Sequence, residues 1–128
     1  MKAPLGQARR GITIVNRRNG RVPGVYVGRP AVLGNPYGIG PDGSRHDGSR
    51  HDVVDKYRAW LREQYRHDGA VRRALRTLAM RYLTDGQLTL ICWCAPQPCH
   101  AEVIRDAVLG MVQAWERARE ARADRRPS

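Results

Sequence analysis

The chain has 128 residues, is 41% hydrophobic and 27% charged, and sets 23 basic against 12 acidic side chains for a formal net charge of +11. That length suits one domain, and the composition excludes a collagenous or intrinsically disordered polymer. No apolar run approaches the roughly 20 residues of a membrane span, residues 1–11 lack the apolar centre of a signal peptide, and all three cysteines crowd between residues 92 and 99, so a cytoplasmic protein without a membrane partner is expected.

The basic charge is asymmetric. Residues 1–29 carry Lys2, Arg9, Arg10, Arg17, Arg18, Arg21 and Arg29 and no acid. Arginine forks match phosphate oxygens and speed encounters with polyanions, which points to nucleic acid. Only Lys2 and Lys56 are lysines, and an arginine-biased genome gives the same skew with no partner at all.

The β-branched run Gly11–Asn16 predicts a strand, and Val25–Val27 a second, with the turn-rich Arg17–Gly24 between them. Residues 28–52 read as a long loop, because residues 28–43 hold five glycines and three prolines. A loop of this length in a small domain is usually functional. Within it Gly43–Asp47 is copied as Gly48–Asp52. One copy of this solvated repeat is expected to be dispensable, and His46 and His51 are not expected to bind metal.

Three helices follow. Asp52 is expected to cap the first, from Val53, with Val53, Val54, Tyr57, Trp60, Leu61 and Tyr65 at helical spacing and His67–Gly69 ending it. The second buries Val71, Ala74, Leu75, Leu78, Ala79 and Tyr82, with Arg72, Arg73 and Arg76 largely opposite. Asp85–Gly86 is a turn. The nearly continuous apolar run Leu88–Trp93 is the strongest strand and predicts a sheet covered on both faces. A third helix from His100 buries Val103, Ile104, Ala107, Val108, Met111 and Trp115. The whole is an α/β fold: one compact domain over residues 1–115, a short central sheet of about three or more strands with helices packed on it, and a charged helical extension over 116–128. A Rossmann-like three-layer form is one version of it.

The most informative stretch is Cys92–Glu102, at a strand-to-helix junction where open α/β sheets bind ligands. Helix N-terminal amides lack intrahelical partners and favour anions and thiolates. A zinc site from Cys92, Cys94, Cys99 and His100 has suitable ligand types but poor spacing. A nucleobase deaminase is disfavoured because His100–Glu102 has no downstream Pro-Cys-x-x-Cys. Two readings stay open. In one, Cys99, His100 and Glu102 are catalytic, with His100 and Glu102 supplying acid–base chemistry. In the other, Cys92 and Trp93 are core, Cys94 is a small hydrophobe and the prolines stiffen a turn. No metal and no cofactor is expected.

The segments Val25–Arg29, Gly34–Pro36, Tyr57–Leu61 and Cys92–His100 together resemble a small, functionally uncharacterised domain family of bacteria, archaea and phages. Its members show a Val-Tyr-x-Gly-Arg strand, a Gly-Asn-Pro loop, a Tyr-Arg-x-Trp-Leu helix and a Cys-x-Cys-x-Pro-x-Pro-Cys-His junction. The resemblance covers roughly residues 12–109. It implies that the loop and the cysteine junction belong together, and it brings no reaction with it. The repeated Gly-Ser-Arg-His-Asp and the arginine-rich tail depart from the family pattern.

A second pole of a site is expected at the loop: Arg29 to pair a phosphate, Gly34 for close backbone approach and Asn35 to orient a base or carbonyl, with Cys94 counted among the binding residues and Arg29 and Asn35 facing Cys99–His100 across one crevice. The expected partner is a nucleotide or nucleic acid. Two functions fit: a small enzyme acting on such a substrate, and a non-catalytic binding module with a basic surface. The enzyme is preferred, because a phosphate-binding patch does not require Cys and His at one helix start.

Overall fold

The computed structural model describes residues 7–9, 11–37, 48–93 and 99–125. Their strands are β1 (Gln7–Arg9), β2 (Ile12–Asn16), β3 (Val25–Tyr26) and β4 (Leu88–Cys92); their helices are α1 (Arg50–His67), α2 (Gly69–Asp85) and α3 (His100–Asp124). One sheet runs β1-β2-β4-β3. β4 pairs in parallel with β2 on one side and β3 on the other, while β1 is antiparallel to β2. The expected α/β fold is therefore observed, with Leu88–Cys92 inside the sheet.

Alternation sets the two faces of the sheet. Ile12, Ile14, Leu88, Leu90 and Cys92 join one hydrophobic cluster with Tyr57 and Leu61 of α1, Leu75 and Leu78 of α2, and Ile104 and Val108 of α3. All three helices thus lie on one face. Val15 and Ile91 are buried on the other, where the backbone at Gly24 lies directly against Thr89 and Ile91. The strand is covered on both sides as its sequence predicts. Among the described residues the second cover is a turn, and those residues form two layers.

Four local expectations are corrected. β1 was not foreseen, and Arg9 of the basic N-terminal segment belongs to it; Arg10 lies outside the described residues. Helix α1 starts at Arg50, because Ser49 is its cap: the Ser49 hydroxyl accepts from the Asp52 amide at 3.2 Å and the Asp52 carboxylate from the Ser49 amide at 3.0 Å. Asp52 is thus the third residue of a capping box rather than the cap. The second repeat copy therefore builds the start of a helix; the first copy, with His46, lies outside the described residues. β4 stops at Cys92, and Trp93 is 51% exposed rather than core. Finally, Tyr65 is exposed and Trp60, Met111 and Trp115 are only half-buried. Among the described residues no helix is long and apolar enough to cross a membrane.

Candidate functional site at the carboxyl edge of the sheet

Parallel strands β2, β4 and β3 end side by side, and their ends carry Asn16–Arg18, Trp93 and Val27–Arg29. The Asn16 amide donates to the Trp93 carbonyl at 3.1 Å while its side-chain oxygen accepts from the Arg18 amide at 2.9 Å. The Trp93 indole donates to the Tyr26 hydroxyl at 2.9 Å, and that hydroxyl donates to the Arg29 carbonyl, also at 2.9 Å. The Arg17 guanidinium sits over the Tyr26 ring, 5.6 Å from its centre, a favourable use of the ring's negative face. The result is a half-exposed indole fixed at its polar end, on an edge whose strand ends also carry the exposed Arg17, Arg18 and Arg29.

The segment after β3 is wound tightly. The Ala31 amide donates to the Gly28 carbonyl at 2.9 Å and the Gly34 amide to the Ala31 carbonyl at 2.8 Å, and the Arg29–Pro30 peptide is cis. The backbone approach that Gly34 permits is to this segment itself: a Cβ there would stand 2.9 Å from the Arg29 and Ala31 backbone. Asn35 is half-buried and its side-chain oxygen accepts from the Tyr37 amide at 2.9 Å, closing an Asx turn.

Two side chains from the helical layer hold this segment. The Tyr57 hydroxyl donates to the buried Leu33 carbonyl at 2.7 Å. His100 Nε2 meets the Val27 carbonyl at 2.6 Å, and its Nδ1 meets Cys99 Sγ at 3.4 Å. A carbonyl only accepts, so the proton is assigned to Nε2 and Nδ1 is left to accept from the Cys99 thiol. The His100 ring meets Tyr57 edge-on with centroids 5.0 Å apart. Burial holds His100 below the ordinary imidazole value; the Val27 bond opposes this and the nearby Arg29 charge adds to it. Burial, then the neighbouring Cys99, pushes the Tyr57 phenol up.

The structure places Cys99 and His100 beneath the β3 loop, His100 on the Val27 carbonyl and Cys99 on His100. Both are buried and both have internal partners. Cys99 caps α3: Sγ accepts from the Ala101 amide at 3.5 Å, and the Cys99 amide donates to the Glu102 carboxylate at 3.2 Å. This box occupies donors that the sequence reading offered to an anion. Cys92 lies in the core with a reduced thiol. Cys94 lies outside the described residues, and among those described no cluster of three His, Cys, Asp or Glu side chains is arranged to hold a metal ion.

The sequence reading missed Trp93, Tyr26 and Arg17 as a unit, although an aromatic at the end of a buried strand is the signal that finds it. It also missed Arg105, which is 8% exposed with an Nε that has no hydrogen-bond partner. Its spacing of four from Ala101 and three from Val108 places it on a buried stripe.

The Tyr26 ring presses against Gly28 so closely that a Cβ would overlap its hydroxyl. Gly28→Ala should therefore displace Tyr26 and release the Trp93 indole. The expected result is a red-shifted tryptophan emission with little change in far-ultraviolet circular dichroism; an unshifted spectrum would show that Tyr26 does not hold Trp93.

No curated protein and no solved structure matches the chain. A family model does match, over residues 14–110, three quarters of its length, and the chain therefore belongs to the family described as Domain of unknown function (DUF4326).

Proposed function

We propose that this is a binding domain for a nucleotide or the end of a nucleic acid, seated beyond the carboxyl ends of β2, β4 and β3. The observation that carries this reading is the half-exposed Trp93, fixed by Tyr26, on an edge whose strand ends also carry the exposed Arg17, Arg18 and Arg29. A flat ring accepts a base by stacking, and arginine forks accept phosphate. The position is where parallel α/β sheets take ligands. Two of the four segments behind the family resemblance contribute to it: Val25–Arg29 supplies Tyr26 and Arg29, and Cys92–His100 supplies Trp93. We read them as the family's ligand edge, in a cytoplasmic protein.

Tryptophan quenching by the common ribonucleoside monophosphates and by a short oligonucleotide tests this. Binding should weaken steeply as salt rises. Trp93→Leu should weaken it by about 1–3 kcal/mol, and Arg29→Gln by about 1–3 kcal/mol. No quenching by any of these ligands at millimolar concentration refutes the proposal.

A second reading, an enzyme on the same ligand, is favoured by the Cys99 Sγ–His100 Nδ1 contact at 3.4 Å. There the thiol is the nucleophile, His100 Nδ1 takes its proton, and Glu102 positions Cys99. Cys99→Ala separates the two readings, since binding survives in both and turnover disappears only in the second. Binding is the better supported, because Cys99 is 1% exposed and engaged in capping a helix.

A further inference from the structure

The helical layer carries a trough that shares no residue with the carboxyl edge. It has a volume of about 510 Å³ and runs between α1 and α3. Its floor is aliphatic, made by Leu61 and Leu75 with Val103, Ala107 and Met111 of α3. Its α1 wall carries Arg58, Arg62 and Arg66. Tyr65 and Trp115 stand at one end, where a second cleft of about 320 Å³ continues past Arg72, Arg73 and Arg76 of α2.

Charge on this trough is one-sided. Among the described residues Asp106 is the one acid lining it, and it is already paired with Arg58 at 3.7 Å. Arg62 and Arg66 have no ion pair among the described residues. Like charges four apart on a helix repel one another. The α1 wall therefore holds two uncompensated cations, Arg62 and Arg66, above an apolar floor.

We infer that this trough receives an acidic amphipathic helix of a partner protein. The α3 wall from Val103 to Trp115 is about 18 Å long, the rise of about three helical turns. Along α1 the arginines rise about 6 Å per step, the pitch at which glutamates four apart would stand on a helix lying alongside. Leucines between those glutamates would meet the methyl groups of the floor, as in other helix-in-groove complexes. Single-stranded nucleic acid fits less well, because bases seek flat rings and this floor is aliphatic. A second copy of this chain fits less well still, since each copy carries a net charge of +11.

The test is fluorescence anisotropy on the full chain with a labelled peptide of about 18 residues, enough for this trough with some overhang. The peptide carries leucines in helical phase flanked by glutamates. Saturable binding with a Kd on the order of micromolar is expected at physiological salt. Arg62→Glu with Arg66→Glu should weaken it by about tenfold or more, and so should Ala114→Trp, which fills the trough without changing charge. Trp93→Leu should leave it unchanged, so this outcome is independent of ligand binding at the sheet edge. The inference is overturned if the peptide does not saturate, or if a permuted peptide of the same composition binds equally well. It is also overturned if an oligothymidylate, and not the peptide, loses binding in the charge-reversed variant.

Discussion

Tyr57→Ala should cost about 3–5 kcal/mol, the usual range for deleting a buried aromatic side chain. A domain of this size has about 5–15 kcal/mol in total, so the variant should sit near the edge of folding. Tyr57 is fully buried, stacks at a tilt on Trp60 with centroids 5.4 Å apart, and meets His100 edge-on. Its hydroxyl adds a second effect. Tyr57→Phe keeps the ring and removes the one donor seen among the described residues on the Leu33 carbonyl, which stands to cost about 1–3 kcal/mol as an unsatisfied buried acceptor. Urea unfolding of the two variants separates packing from hydrogen bonding. A Tyr57→Phe protein as stable as the parent would mean that water reaches the Leu33 carbonyl and the loop is not held from beneath.

The second large effect is a dependence of stability on pH that passes through His100. Above about pH 6.5 the imidazole is neutral in both folded and unfolded chains, and His100 contributes no slope. Below that the unfolded chain takes up a proton that the folded chain resists, because a buried imidazolium lies near Arg29 and has lost its role as acceptor for the Cys99 thiol. Stability should therefore fall as pH drops from about 6.5 towards the lower folded value, by up to about 1.4 kcal/mol per pH unit. His100→Gln can still donate to the Val27 carbonyl and cannot take up the proton. It should be less stable than the parent at pH 8 and should lack this slope between about pH 6.5 and 5. Parallel slopes for parent and variant would place the titration elsewhere.

What could be read from the chain tracks the reach of each interaction. Helices α1 to α3 announce themselves because their buried positions repeat every three or four residues within one element, and β4 because it pairs with β2 along its whole length and with β3 at Leu90 and Ile91, with both faces covered. β1 is a polar edge strand of three residues whose only specification is its partner Ile12–Ile14, so no pattern of its own reveals it. The start of α1 slipped because serine and aspartate both make caps, and only the reciprocal bonds say which does. At the candidate site the helix start at Cys99–His100 was legible. The burial of that pair was not, because its partner Val27 lies 73 residues away. Trp93 continues an apolar run, and nothing local marks where the pleat ends and solvent begins.

The segment from Val27 to Leu33 is gripped at both ends through main-chain oxygens, by His100 at one and Tyr57 at the other. Between those grips Arg29, Pro30 and Val32 face solvent. Anchoring and recognition are therefore divided between different atoms: carbonyls that every amino acid possesses hold the segment, while the side chains between them contact whatever approaches. Such a division lets an exposed side chain such as that of Val32 be replaced without unseating the loop. A change of side chain between the grips should alter what the loop selects without altering how it is held, whereas Gly28 and Gly34 leave no room for a Cβ.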